Sequence, residues 1–467
     1  MRIPFDLIAA ILCIEGVAKC LSPAGVPAGW GLALSSWAGF LLVTWLLNEL
    51  VTRDFEWRTR FGLNPAGLAG SRHPLTINTW SITAAQCVTV VLYGLLLWNL
   101  KWPLLMADWP RWLGLSIRDA KIGNLKLADS SLAAVLLNLT PFLLAMVISW
   151  VPRRRLISGA RKWRVPLFKF LAFEAKLTWV PMAISVVAWG FQDIGRALPP
   201  RDTAWMSIPG VDILLLVSFF LIMSAIGLPA FIIRLWKCTP MPEGELKSRL
   251  LVLLQRSGVK ARAILIWGGS GTGLLNACVM GPWAPFRYVL ISPQLVHELS
   301  MEETEAVLCH ELGHARYGHL TLLMIMVLCL SAILDPLSQL MPLSWQDNPL
   351  VMSAAILAFV IFYVWAFFGA MMRQCEREAD LASAELMGTP VPLVTALEKL
   401  ASIAGNIRSV WCWHHGSIAE RVDAVKRLST DPVGSHRFHA KLRLVRIVFT
   451  VLTFAALGAQ LWVKLTN

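Results

Sequence analysis

The sequence predicts a mainly α-helical, polytopic integral membrane protein with a small α+β region at the membrane boundary. Composition is the first ground. Of 467 residues, 56 % are hydrophobic and only 15 % charged, with a mean hydropathy of +0.61, whereas soluble domains carry about 25 % charged residues. The second is run length: several apolar stretches reach the roughly 20 residues that a spanning helix needs. The third is a polar block, 237–319, in which helical and β-type patterns alternate. The 22 Trp against 4 Tyr suit interfacial anchoring, because an indole joins an apolar body to a polar N–H.

Taken in chain order, clear spans fall at 30–51, 79–99, 130–151, 208–235, 350–372 and 444–463. Weaker ones are 4–22, with Asp6, Glu15 and Lys19; 167–191, with Lys169, Glu174 and Lys176; and 320–343, broken by Asp335-Pro336. Glu15 interrupts the apolar core that a signal peptide would need. The expectation is seven to nine transmembrane helices. Three regions follow: an N-terminal transmembrane region (1–236), a central region (237–430) containing a helical hairpin (320–372), and a C-terminal transmembrane helix (431–467).

Within the polar block, 242–257 repeats apolar positions at helical spacing. Three short β-type runs follow, Arg262 to Trp267, Leu274 to Met280 and Phe286 to Ile291, separated by Gly-rich turns, which suggests a small meander. Ser300 with Glu303 has the spacing of a capping box and opens the next helix, which runs directly into an apolar stretch.

The formal charge is +13, but much of the basic content lies in short connections beside spans, such as Arg153-Arg154-Arg155 and 161–164. That placement reports positive-inside topology and contact with anionic headgroups of the lipid bilayer, and speaks against a nucleic-acid partner. Alternating sides across nine spans puts the central region on the cytoplasmic side of a bacterial inner membrane or, alternatively, the endoplasmic reticulum. The loop 100–129, with Lys101, Arg111, Arg118, Lys121 and Lys126, runs against this pattern; an interfacial segment or a different span count there accounts for it. The nine Cys form no C-x-x-C pair and several sit within apolar runs, so they read as buried thiols.

His310-Glu311-Leu312-Gly313-His314 carries the chemistry. Residues four apart on a helix are separated by about 40° around the axis, so His310 and His314 aim at one point. Two imidazoles suit Zn²⁺, one per chain, and the adjacent Glu311 can act as general base towards a water in an open coordination position. A third protein ligand is needed. His319 would lie about 180° from His310 on a continuous helix, facing away. The better candidate is Glu376 in Arg373-Gln374-Cys375-Glu376-Arg377-Glu378-Ala379-Asp380. Asp380 shares its face and can take the free N–H of a ligating histidine. Glu378 lies about 200° from Glu376 and should point elsewhere. A solvated, charged helix start is the plainer reading of this segment; its place after a span paired with the H-E-L-G-H helix argues for the ligand.

These residues resemble the membrane gluzincins that include the CAAX prenyl endopeptidases and the HtpX-like quality-control proteases. The matching stretches are His310 to His314 with Gly318-His319 behind, Glu376 to Asp380, Asn276-Ala277, and His415 to Arg421, covering roughly 240–430. The resemblance implies a zincin-like catalytic region and a zinc-dependent endopeptidase acting on membrane-associated or extended protein substrates. It implies that Glu376 is the third zinc ligand, that the strand at Asn276 and Ala277 holds substrate main chain to main chain, that His415 helps to stabilise the oxyanion, and that Arg421 supports the zinc-side network. From the residues alone, Asn276 also reads as turn-adjacent, His415 as interfacial packing beside Trp411 and Trp413, and Arg421 as a solvated face. The family typically has Pro after the histidine of its last motif; Gly416 stands there instead, which bears on the rigidity of that loop. Two other functions compete: a sensor-transducer metalloprotease, which should carry a ligand-binding outer domain, and a non-catalytic, zinc-stabilised membrane scaffold, which should have a closed site of four ligands.

Overall fold

The computed structural model of the protein describes residues 29–60, 74–107, 121–126, 129–160, 166–197, 222–268, 275–404 and 406–466, together with 10, 13, 14, 218 and 219. Two compact units emerge, Met1–Val211 with Ser338–Ala358, and Asp212–Leu337 with Phe359–Asn467.

The first unit is built on four long helices, α1 (Trp30–Arg60), α2 (Pro74–Asn99), α3 (Ser131–Ala160) and α4 (Leu167–Ala197). A two-residue hairpin, β1 (Lys121–Ile122) with β2 (Leu125–Lys126), lies between α2 and α3 in the chain. Its core is aromatic: Trp37, Phe40, Tyr93, Trp102 and Phe142 pack together, and the Tyr93 hydroxyl donates to the Asn138 carbonyl at 2.8 Å. Polar groups pair at the helix ends, where buried Glu49 meets Arg53 at 2.8 Å and also Arg155. The outward faces carry large apolar side chains such as Leu32 and Leu50, which suits lipid and not water.

In the second unit, Met223–Gly227 forms a π-helical turn that leads into α5 (Leu228–Leu235). The amphipathic stretch 242–257 is α6 (Glu245–Ser257), ended by Gly258 in the left-handed conformation. A four-stranded sheet follows, containing β3 (Thr239–Pro240), β4 (Ala263–Ile266), β5 (Ala277–Met280) and β6 (Tyr288–Ile291). The three expected runs are strands, but they are not a meander. The spatial order is β3-β4-β6-β5, with β4 and β6 parallel from Ala263↔Tyr288 to Ile266↔Ile291, and β5 antiparallel to β6 from Ala277↔Ile291 to Met280↔Tyr288. Only the short link through Gly281-Pro282 allows a hairpin. β5 stands at the end of the strand order, paired with β6 alone among the described strands.

Ser300 caps α7 (Met301–Arg316) through the expected box, its hydroxyl accepting from Glu303 N while the Glu303 carboxylate accepts from Ser300 N. α7 buries Leu308, Cys309 and Leu312 in a core shared with Leu250, Val289 and Ile291. α8 (His319–Leu340) runs unbroken through Pro336; a helix in lipid tolerates a proline whose freed carbonyl finds another partner. After α9 (Pro349–Phe362), a π-helical segment, Tyr363–Phe368, joins directly to α10 (Gly369–Met387). α11 (Val391–Ile403), α12 (Ile418–Ser429) and α13 (Pro432–Thr466) complete the chain.

Among the described residues six helices are long and apolar enough to cross a membrane: Trp30–Trp57, Ser81–Asn99, Ser131–Arg155, His319–Leu340, Ala354–Met387 and Pro432–Gln460. Most of candidate 4–22 and much of 208–235 lie outside the described residues. The 167–191 stretch forms α4 but is not one of the six.

Candidate metal centre

α7 and α10 cross at very close range. A Cβ at Gly313 would stand 2.9 Å from Ala382 Cβ and 3.0 Å from Ala379 Cα, so only glycine lets the backbones approach this far. That approach brings His310 and His314 of α7 against Glu376 of α10. The two Nε2 atoms are 3.2 Å apart, and lie 3.6 Å and 3.5 Å from the two Glu376 carboxylate oxygens. Ligand atoms placed tetrahedrally about 2.0–2.1 Å from a zinc ion are about 3.3 Å from one another. Spacing and donor chemistry therefore both fit a single small divalent cation. Among the described residues this is the one His/Cys/Asp/Glu group able to hold a metal, with its ligand atoms all within 4.8 Å.

Three more of the predicted residues, Asp380, Arg421 and His415, converge on the same place. Asp380 Oδ1 lies 2.8 Å from His310 Nδ1. Arg421, at the second turn of α12, clamps Asp380 with two bonds of 2.9 and 2.6 Å, and its third nitrogen is 3.1 Å from Glu376. So Arg421 faces inward, not solvent. His415 Nδ1 is 2.9 Å from Glu376 Oε1, while part of its ring stays exposed.

The loop bearing His415 is closed by a reciprocal pair of backbone bonds, Gly416 N to Cys412 O at 2.8 Å and Cys412 N to Gly416 O at 3.2 Å. Gly416 has φ +73°, which a proline could not adopt, and it donates a bond that a proline lacks. Rigidity is supplied here by another device. Arg373 adds to it, donating to the Trp413 carbonyl and lying over the Trp411 ring at 5.4 Å.

Glu311 points towards β5, where the Val279 N–H donates to its carboxylate. Burial, opposed by His310, raises its pKa to about 7, a range suited to a proton acceptor working near neutrality. Burial holds His314 well below the ordinary imidazole value, which keeps it in the neutral form that ligates metals. On the far side from β6, the edge of β5 is paired with no other strand among the described residues. Asn276 precedes it and exchanges bonds with Ser292, its N–H donating to the hydroxyl at 3.1 Å and its carbonyl accepting from the Ser292 N–H at 2.9 Å. Ala277 is its first residue and is buried.

His319 departs from the sequence expectation. The helix is not continuous: α7 ends at Arg316 and Gly318 takes φ +65°. His319 is thereby turned back, its Nδ1 2.8 Å from His314 Nδ1 and its Nε2 2.8 Å from Glu378. It is not among the three ligands but the neighbour of one. Glu378 does point away from Glu376, as its angle demands, yet it is fully buried and paired.

Its six long apolar helices mark a multi-pass membrane protein, and the comparisons with known proteins point to a peptidase-like domain within it. Residues 240–441 match Peptidase family M48, so the chain carries an M48 peptidase domain. A protease HtpX homolog of Janthinobacterium sp. is 23 % identical over 230 residues, 43 % of this chain and 76 % of that one. CAAX prenyl protease 1 of Saccharomyces cerevisiae is 35 % identical over 124 residues, 26 % of either chain. The crystal structure of S. mikatae Ste24p shares the fold, with a TM-score of 0.51 and 17 % identity over 86 % of this chain and all of its own.

Proposed function

We propose that the chain is a zinc-dependent integral-membrane endopeptidase cutting extended or membrane-associated protein substrates. The convergence of His310, His314 and Glu376, with Glu311 between that cluster and an open strand edge, carries this reading. A zinc ion held by those three side chains supplies Lewis acidity to a water and to the scissile carbonyl. Glu311 accepts the proton of the attacking water and delivers it to the leaving amine. An extended substrate adds to β5 as a further strand, which fixes its main chain beside Glu311. His415 donates to the developing oxyanion, the kind of contact that often contributes most to rate. Asp380, itself held by Arg421, fixes the tautomer of His310.

The basic connections support a site on the cytoplasmic side of a bacterial inner membrane or, alternatively, of the endoplasmic reticulum. The test compares wild type with Glu311→Gln in detergent, measuring bound zinc and cleavage of an unstructured reporter peptide. One zinc in both with cleavage in wild type alone supports the reading. One zinc in both with cleavage in neither turns it towards a scaffold, and no zinc in either rejects the site.

A further inference from the structure

The two histidines of the centre each present a second ring nitrogen, and the structure treats those nitrogens differently. His310 meets a carboxylate. His314 meets another imidazole, at 2.8 Å between the two Nδ1 atoms. A ligand bound through Nε2 keeps its proton on Nδ1, so His314 must donate and His319 must accept. His319 then carries its own proton on Nε2, which donates to Glu378 Oε2 at 2.8 Å. Each bond dictates the tautomer of the next, and the chain ends on a carboxylate that cannot itself donate.

Glu378 is held in turn from α13. His439 Nδ1 lies 2.9 Å from its other oxygen, and Arg446 donates to the same oxygen as His319. Tyr317 is stacked on His439 with ring centroids 4.8 Å apart, and Arg446 lies over the Tyr317 ring at 5.7 Å from its centroid. His319 and Glu378 are almost completely buried. A buried charged network of this kind is costly unless its members find partners; here it reaches Glu385, 3.4 Å from His439 Nε2, on one side and the metal centre, through His319 and His314, on the other.

We propose that His319 and Glu378 are positioning residues for the ligand His314, and that His439 and Arg446 make the C-terminal membrane helix a structural part of the metal centre. The inference rests on the zinc-peptidase reading and extends it. Relay partners of this type tune metal affinity by about 10–100-fold.

The test uses the full chain in detergent and measures zinc affinity by competition with a chromophoric chelator, along with the absorption spectrum of the Co²⁺-loaded protein. His319→Leu breaks the relay. His319→Gln keeps it, because an amide accepts through oxygen and donates through nitrogen. Expected is a loss of zinc affinity of about 10–100-fold in His319→Leu with a changed Co²⁺ spectrum, and near-complete recovery of both in His319→Gln. Adding Glu378→Gln to His319→Leu should cost no further affinity, since the two act in series; adding Asp380→Asn should. Zinc affinity unchanged in His319→Leu, or reduced equally in both His319 variants, overturns the proposal. If Glu378→Gln does not fold, the His319 pair decides alone. A wild type that binds no zinc would instead reject the metal-centre reading beneath it, so the two failures are distinguishable.

Discussion

His310 and His314 stand one helical turn apart, yet their outer nitrogens are held by regions of different character. Around His310 the support is compact: one carboxylate, Asp380, gripped by a two-pronged guanidinium from α12. Around His314 it is extended, passing through His319 and Glu378 to His439 and Arg446 on a membrane helix. The first lies wholly inside the stretch that matches the peptidase family; the second runs past its end at residue 441, since Arg446 lies beyond it. A peptidase-family domain in a membrane protein can thus be recognisable as a unit while the electrostatic support of its histidines is not confined to it.

The largest expected effect separates chemistry from support altogether. Glu311→Gln belongs to neither side, and should lower cleavage by about 10²–10⁴-fold with bound zinc unchanged; a mutant that loses zinc as well would mean that Glu311 also shapes the centre. Next comes the compact side. Asp380→Asn should weaken zinc binding by about 10–100-fold, read by chelator competition. An affinity within experimental error of wild type would make the Asp380–Arg421 clamp a packing element only.

The crossing that both sides depend on is probed more gently. Gly313→Ala forces α7 and α10 apart and should cost about 1–3 kcal/mol of stability, visible as a lower thermal unfolding midpoint. If the midpoint does not fall, the helices can part more freely than a 2.9 Å Cβ contact implies. Smallest is Ser417→Ala, which removes the hydroxyl that caps α12 by accepting from Glu420 N at 3.1 Å. It should cost about 1 kcal/mol while leaving zinc affinity intact. A fall in affinity would show that the seat of Arg421 depends on how α12 begins.

Much of this was legible because it depends on local rules. The capping box at Ser300 and the i,i+4 aim of His310 and His314 need only helical geometry, as does the shared face of Glu376 and Asp380. The strands were legible as runs, but their order was not, because pairing between β4 and β6 is a non-local choice that no run of residues announces. His319 was misjudged through one assumption, that the helix continues. The signal was present in Tyr317-Gly318, a glycine directly after the residue that caps the helix C-terminus being the usual sign of a left-handed cap. Glu378 was placed correctly by angle, but its partners lie 59 to 68 residues away in sequence, beyond any periodicity.

The π-helical segment Tyr363–Phe368 sits directly upstream of α10. A π-turn holds one residue more than an α-turn spans, and so shifts the phase of everything that follows by about 100°. The angular position of Glu376 is thus a matter of counting. Deleting a single residue within that segment would let the helix relax to regular α geometry and swing Glu376, Glu378 and Asp380 together out of alignment with α7. Helix content by circular dichroism would hardly change, while zinc binding would be lost. On this account the surplus residue would set the frame for the centre, and a change of length there would matter more than a change of side chain.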